Sequence, residues 1–93
     1  MLRFYKDPDA TLDYLFDWTD WLASAETISS HTITISPTGT GALTLDSSNV
    51  AGGIVTAWLS SGVLGTVYAV TCNIVTSDSR VDERTMHIRI QER

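Results

Sequence analysis

The sequence is poor in cysteine, lysine and long apolar runs. Its single cysteine, Cys72, excludes an internal disulfide and any metal site built from several thiolates. Six basic residues against eleven acidic ones give a net charge of −5, and they lack the clustering that a nucleic-acid binder needs. No run approaches the roughly 18 apolar residues of a membrane span, and the first residues lack the apolar segment of a signal peptide. We therefore expect a protein made in a cytoplasm that binds neither nucleic acid nor membrane.

Serine and threonine are abundant instead. The 93 residues include ten serines and thirteen threonines, 43% are hydrophobic and only 18% are charged. A chain of this length forms one domain, and its apolar content is too high for a disordered segment. Because β-branched side chains favour pleated strands over helices, the composition predicts a single all-β domain.

Charge is distributed unevenly along the chain. Residues 1–26 carry a net charge of −4, residues 27–76 contain one charged residue, Asp46, and residues 77–93 are balanced. A long stretch with a single charge favours a body that is covered by itself or by neighbouring proteins. This division predicts an acidic aromatic arm with the first strand over residues 1–26, and a sandwich body over residues 27–93 of the same domain.

Short runs with a two-residue period are separated by turn residues. Such runs occupy residues 28–36, 42–46, 54–60, 66–76 and 84–91. Gly, Pro, Ser, Asn and Asp mark turns at residues 37–41, 47–49 and 77–79. Turn signals every 8–12 residues predict a β-sandwich of about seven strands.

The segment from Leu12 to Trp18 allows two interpretations. Its apolar residues alternate with Asp13 and Asp17, as in a half-buried strand. Leu15 and Leu22 also fall near one face of a helix. We prefer an extended arm, and the sequence leaves the helical alternative open.

Three residues are expected to define the fold. Tyr68 opens a strand directly after a Leu-Gly-Thr corner, which resembles the tyrosine corner of immunoglobulin-like and fibronectin-type domains. Trp58 is predicted to be the central aromatic residue of the core. Cys72 shares the inward face of its strand with Tyr68, so a buried and unreactive thiol is expected.

The sequence offers no catalytic or metal-binding constellation. The N-terminal aspartates lack the spacing and the glycine of a calcium loop, and no cysteine or carboxylate lies at ligand spacing from His31 or His87. A nucleophile elbow and a phosphate-binding loop are also absent. We therefore expect no enzyme, no metal and no cofactor.

Aromatic and acidic residues alternate in one N-terminal stretch, and this stretch is the candidate partner-binding site. Its members are Asp13, Tyr14, Phe16, Asp17, Trp18, Asp20 and Trp21. Aromatic residues dominate interface hot spots, which favours a partner anchor, and they also stack on sugars. The structural alternative is that these aromatic side chains close one end of the core.

Several motifs together resemble the small virion structural proteins of tailed bacteriophages, which include fibre–tail adaptors. The motifs lie at residues 4–8 (FYKDP), 12–14 (LDY), 17–22 (DWTDWL), 26–28 (ETI), 55–60 (VTAWLS), 65–71 (GTVYAVT) and 82–84 (DER). The resemblance covers nearly the whole chain. The Asp-Trp-x-x-Trp-Leu block at residues 17–22 is its most specific part.

This resemblance implies an immunoglobulin-like building block of the virion without catalytic activity. It further implies an adaptor that links the tail or connector to fibres through the N-terminal arm. Its partners would be other virion proteins, and its copies would repeat in a symmetric assembly. Two alternatives remain at this point: a capsid decoration protein, and a soluble carbohydrate-binding sandwich in which Trp58 or Trp18 stacks on sugar.

Overall fold

The computed structural model describes residues 2–92, with side chains from residue 4 onward, so Met1 and Arg93 lie outside the described residues. This range contains seven strands and no helix. The strands are β1 (Leu2–Lys6), β2 (Leu12–Asp17), β3 (Ile28–Ser36), β4 (Thr44–Ala51), β5 (Ile54–Ser60), β6 (Val67–Thr76) and β7 (Val81–Ile90). Accordingly, no helix in the described range is long and apolar enough to cross a membrane. The predicted all-β class is confirmed.

The strands form two sheets. One sheet has the order β1-β7-β6-β3 and the other has the order β2-β5-β4. Neighbouring strands are antiparallel, except that β1 runs parallel to β7. The orders β7-β6-β3 and β2-β5-β4 correspond to the G-F-C and B-E-D strands of an immunoglobulin constant-type domain, with the first strand moved to the other sheet. The predicted sandwich of about seven strands is confirmed.

The core lies between the sheets and follows from the two-residue period. Along β6 every second residue from Tyr68 to Thr76 is buried, because successive side chains of a strand point to opposite faces. The inward residues of β7 and β5 complete the layer. The largest fully buried apolar side chains are Trp18, Tyr68, Phe16, Leu59, Ile74, Met86, Ile88 and Ile90.

Strands β4 and β7 differ most from their predicted bounds. Strand β4 continues through residues 47–49, which we predicted to be a turn, because these residues pair with residues 56–58 of β5. The turn follows at Gly52 and Gly53, whose positive φ angles of 59° and 83° suit a tight two-residue hairpin. Strand β7 begins at Val81, three residues before the predicted start.

The prediction that Trp58 is the central core residue is wrong. Trp58 is 42% exposed, because Ala57 and Leu59 take the two inward positions beside it. By contrast, Tyr68 is buried and its hydroxyl accepts a hydrogen bond from the Val63 N–H at 3.1 Å, the bond of a tyrosine corner. Cys72 is also buried, and this burial raises the pKa of its thiol to about 11.

The N-terminal segment is not a separate arm. Strand β1 pairs with β7, and β2 pairs with β5, so residues 2–17 contribute a strand to each sheet. The rings of Phe4 and Tyr14 pack edge to face at 5.4 Å between these strands. Lys6 is buried, and its ammonium group donates to the main-chain oxygens of Asp7 and Ser61. The division that we predicted at residue 26 therefore cuts through the sandwich, because this segment has the apolar residues that both sheets need.

Candidate docking surface

The structure separates the predicted partner-binding residues. Tyr14, Phe16 and Trp18 are 7%, 1% and 0% exposed and lie on the inward face of β2 or directly after it. Their burial agrees with the alternative that these aromatic residues close the core. They are not available to anchor a partner while the sandwich is folded.

Trp18 and Trp21 form a cluster of cation–π and edge-to-face contacts with two arginines at one end of the sandwich. The guanidinium of Arg84 lies 4.2 Å from the centre of the Trp18 ring, and that of Arg80 lies 4.0 Å from the Trp21 ring. The two indoles contact each other edge to face at 5.3 Å. Cation–π contacts of this kind hold the residues after β2 against the start of β7.

An ion pair between the buried Glu26 and the partly exposed Arg80 reinforces the same end, and no sequence motif predicts it. The Glu26 carboxylate is fully buried and accepts hydrogen bonds from Arg80 Nε at 2.9 Å, from Arg80 Nη2, from Thr76 Oγ1 and from the Ala23 N–H. The Arg80 and Thr76 hydrogen bonds lower the pKa of Glu26 from 4.5 to about 2. Glu26 and Arg80 are 54 positions apart, so no local pattern indicates their contact.

Asp13, Asp17 and Asp20 are the exposed members of the predicted site. The Asp17 carboxylate ends β2 by accepting hydrogen bonds from the Thr19 hydroxyl and N–H at 2.6 and 2.9 Å, which lower the pKa of Asp17. Arg84 also donates to the main-chain oxygen of Asp17. The position of Asp17 at the sheet surface is therefore fixed by its neighbours.

The outer face of the three-stranded sheet combines these aspartates with apolar side chains. Asp13 and Trp58 are directly opposite each other on β2 and β5, and Leu15 is opposite Thr56 on the same face. Leu15 is 52% exposed and Trp58 is 42% exposed. Neighbouring strands lie close enough for these side chains to form one continuous surface.

Asp46 extends this surface on the far side of Trp58. It lies at the irregularity between Leu45 and Ser47 of β4, and its carboxylate accepts a hydrogen bond from the Ser60 hydroxyl at 2.9 Å. We call the combined surface the acidic apolar face. It consists of Asp13, Leu15, Asp17, Asp46 and Trp58.

The strands that form the acidic apolar face contribute no base of their own. Among the described side chains, Lys6 lies near Asp46, but its ammonium group donates to the main-chain oxygens of Asp7 and Ser61. The sequence contains no lysine or arginine between residues 7 and 79, so none belongs to β2, β4 or β5. Arg84 lies near Asp17. Its guanidinium packs on the Trp18 ring and donates a hydrogen bond to the main-chain oxygen of Asp17. An exposed tryptophan and leucine among three exposed carboxylates match a partner with positive charges around an apolar centre.

A pocket and a histidine outside the acidic apolar face have polar groups that are engaged by neighbouring residues. A pocket of about 290 Å³ lies between the loop after β2 and the β4–β5 turn, and Glu26 in its wall is engaged by Arg80. His31 Nε2 hydrogen-bonds to Ser48 Oγ at 2.9 Å and joins the two sheets. Within residues 2–92, no group of three His, Cys, Asp or Glu side chains could hold a metal ion.

Comparison with known proteins identifies the family. No curated protein sequence matches the chain. A family model does match, over residues 6–89, and it is described as Gp77, podophage GP4 fiber-tail adaptor protein gp77. The match runs from the end of β1 almost to the end of β7 and includes every residue of the acidic apolar face. The chain therefore belongs to the podophage fibre–tail adaptor family, whose members are structural proteins of the virion.

Proposed function

We propose that the acidic apolar face is the surface through which this adaptor binds a basic segment of a tail or fibre protein. The exposure of Leu15 and Trp58 on a sheet without any lysine or arginine carries the proposal. The family match supports an adaptor over capsid decoration and carbohydrate binding, the alternatives from the sequence. In this proposal the chain is made in the host cytoplasm, joins the particle during assembly and catalyses no reaction.

The chemistry of the face defines its partner. Trp58 at the centre of a contact is expected to supply most of the binding energy, because tryptophan is enriched among interface hot spots. Asp13, Asp17 and Asp46 would lose water when a partner covers them, and a buried carboxylate is costly unless it is paired. The partner segment is therefore expected to place lysine or arginine side chains around an apolar residue.

The support beneath the face also favours a docking role. Trp18 lies under the end of β2, held by Arg84 and Trp21, and Trp21 is in turn held by Arg80. These contacts fix the loop that follows Asp17. A surface that is already ordered loses little conformational entropy when it binds.

The proposal is tested by replacing Leu15 and Trp58 together with serine. A phage that lacks this gene is complemented with the variant, and the copies per purified particle are counted by quantitative mass spectrometry. We expect incorporation to fall at least about tenfold, since truncating a hot spot commonly costs 2 kcal/mol or more. The melting temperature of the isolated chain should change much less than incorporation does, because both side chains are about half exposed.

Val81→Ser provides the matched control. Val81 is 71% exposed on the other sheet, so this substitution also exchanges an exposed apolar side chain for serine. It should leave incorporation unchanged. If the double variant enters particles as well as Val81→Ser does, the acidic apolar face is not the docking surface.

A further inference from the structure

Four strands lie at sheet edges in the described part of the chain: β1 and β3 in one sheet, β2 and β4 in the other. An edge strand exposes unpaired backbone groups that can pair with another chain. Natural proteins protect such edges with charged side chains, proline, bulges or short length. The four edges differ in these features.

Three of these edges are protected. Strand β1 has five residues and ends at Lys6. Strand β2 carries Asp13 and Asp17 on its exposed face. Strand β4 has Asp46 at an irregularity that interrupts its register.

Strand β3 has almost none of these features. It is nine residues long, with no charged residue and no proline, and its irregularity lies at its start, between Ile28 and Ser30. Among the described strands it pairs with β6 alone. The bond between His31 and Ser48 joins two side chains and uses no backbone group of β3.

We propose that two copies of the chain pair through their β3 edges, antiparallel about a two-fold axis. The two four-stranded sheets would then form one continuous sheet of twice that width. This contact is isologous and therefore closes after two copies. This contact uses a different sheet from the one that carries the acidic apolar face.

The side-chain pattern of β3 matches this symmetry. A two-fold axis perpendicular to the sheet places each residue opposite one on the same face, so even positions meet even positions and odd meet odd. From residue 30 onward the even positions are exposed and the odd positions are half-buried. The exposed set is Ser30, Thr32, Thr34 and Ser36, and the half-buried set is His31, Ile33 and Ile35.

Pairing therefore places hydroxyl residues opposite hydroxyl residues in every permitted register. Thr–Thr and Thr–Ser pairs are favourable across neighbouring strands. Although the chain has a net charge of −5, β3 contributes none of it, so no like charges meet along the contact. A second copy fits this edge because it supplies an equally uncharged and equally unprotected strand.

The test is the mass of the isolated chain in solution, measured by sedimentation equilibrium. For the unmodified chain we expect twice the chain mass of 10.2 kDa. The double variant Thr32→Lys/Thr34→Lys should raise the dissociation constant of the dimer at least about tenfold, because it places like charges on adjacent strands. Thr38→Lys/Thr40→Lys adds the same charge at two exposed positions beyond the end of β3 and should keep the dimer. A chain that stays at 10.2 kDa up to about 1 mM overturns the proposal, as does a dimer that the β3 lysines leave unchanged.

Hydrogen exchange of the unmodified chain gives a second test that does not depend on the folding of any variant. The β3 amides that face away from β6 should exchange more slowly at high protein concentration than at low concentration. Amides in β5, the central strand of the other sheet, should show no such dependence. Exchange in β3 that is independent of concentration contradicts the pairing.

Discussion

Replacing Trp18 with alanine is expected to lower the free energy of unfolding by about 3–5 kcal/mol, the usual cost of removing a large aromatic side chain from a packed core. Trp18 is fully buried. It contacts the Trp21 ring and the Arg84 guanidinium, and it lies near the Cys72 thiol. Domains of this kind have a total stability of about 5–15 kcal/mol, so the variant would lose much of it. Urea unfolding followed by far-ultraviolet circular dichroism measures the difference without relying on tryptophan fluorescence.

Trp58→Ala is the control for this measurement. It removes the same kind of side chain from an exposed position on β5, so its effect on stability should be about 1 kcal/mol or less. A Trp18→Ala chain that keeps its full stability but fails to enter particles would contradict the core assignment. Trp18 would then be the partner anchor that the sequence alone allowed.

Replacing Glu26 with glutamine is expected to reduce stability more than replacing an exposed glutamate such as Glu83. The fully buried Glu26 carboxylate is bonded to Arg80, Thr76 and the Ala23 N–H, and the variant leaves the Arg80 guanidinium without its charged partner. Arg80 is itself 44% exposed, so the expected cost is the loss of the charge-assisted hydrogen bonds that the Glu26 carboxylate accepts, which are stronger than those of a neutral amide. Melting temperatures of Glu26→Gln and Glu83→Gln at neutral pH measure this difference.

The same carboxylate gives the stability a defined pH dependence. Its pKa of about 2 in the folded chain lies below the ordinary value of 4.5, so the unfolded chain binds the proton more tightly. The contribution of Glu26 is therefore complete above pH 4.5 and is lost as the pH falls from 4.5 towards 2. Glu26→Gln should show a shallower decline across this interval than the unmodified chain. Parallel curves for the two proteins would contradict the role of the ion pair.

Local alternation predicts the strands well where only one face of a strand is apolar. Ile33 and Ile35 alternate with threonine, and the predicted bounds of β3 match the structure. Local alternation does not predict the strand at residues 47–49, because three consecutive polar residues have the composition of a turn. Their pairing with β5 decides their conformation, and that pairing is not visible in a local window.

The candidate site was harder to predict for the same reason. The outward positions of β5 mix Ile54 and Trp58 with Thr56 and Ser60, so a large aromatic residue in this strand was expected inside, although Trp58 points outward. The juxtaposition of Asp13 with Trp58 depends on the register between β2 and β5, which are far apart in sequence. The structure separates the predicted site residues, because it buries Tyr14, Phe16 and Trp18 and leaves the three aspartates at the surface.

Together, the two proposed contacts describe a bivalent adaptor. Pairing through β3 would join two copies while each keeps its own acidic apolar face. Two linked faces bind a repetitive partner more tightly than one face alone, provided that both can be engaged at once. The β3 lysine variant would separate these effects, because it removes the pairing and leaves Leu15 and Trp58 unchanged.

Hydroxyl-radical labelling of purified particles tests the docking surface most directly. The oxidation rates of Leu15 and Trp58 are compared between the isolated chain and the chain within the particle. The proposal predicts that both side chains, about half exposed in the isolated chain, are strongly protected in the particle. Equal labelling of Leu15 and Trp58 in the two states would show that the acidic apolar face stays open to solvent, and would contradict its role in docking.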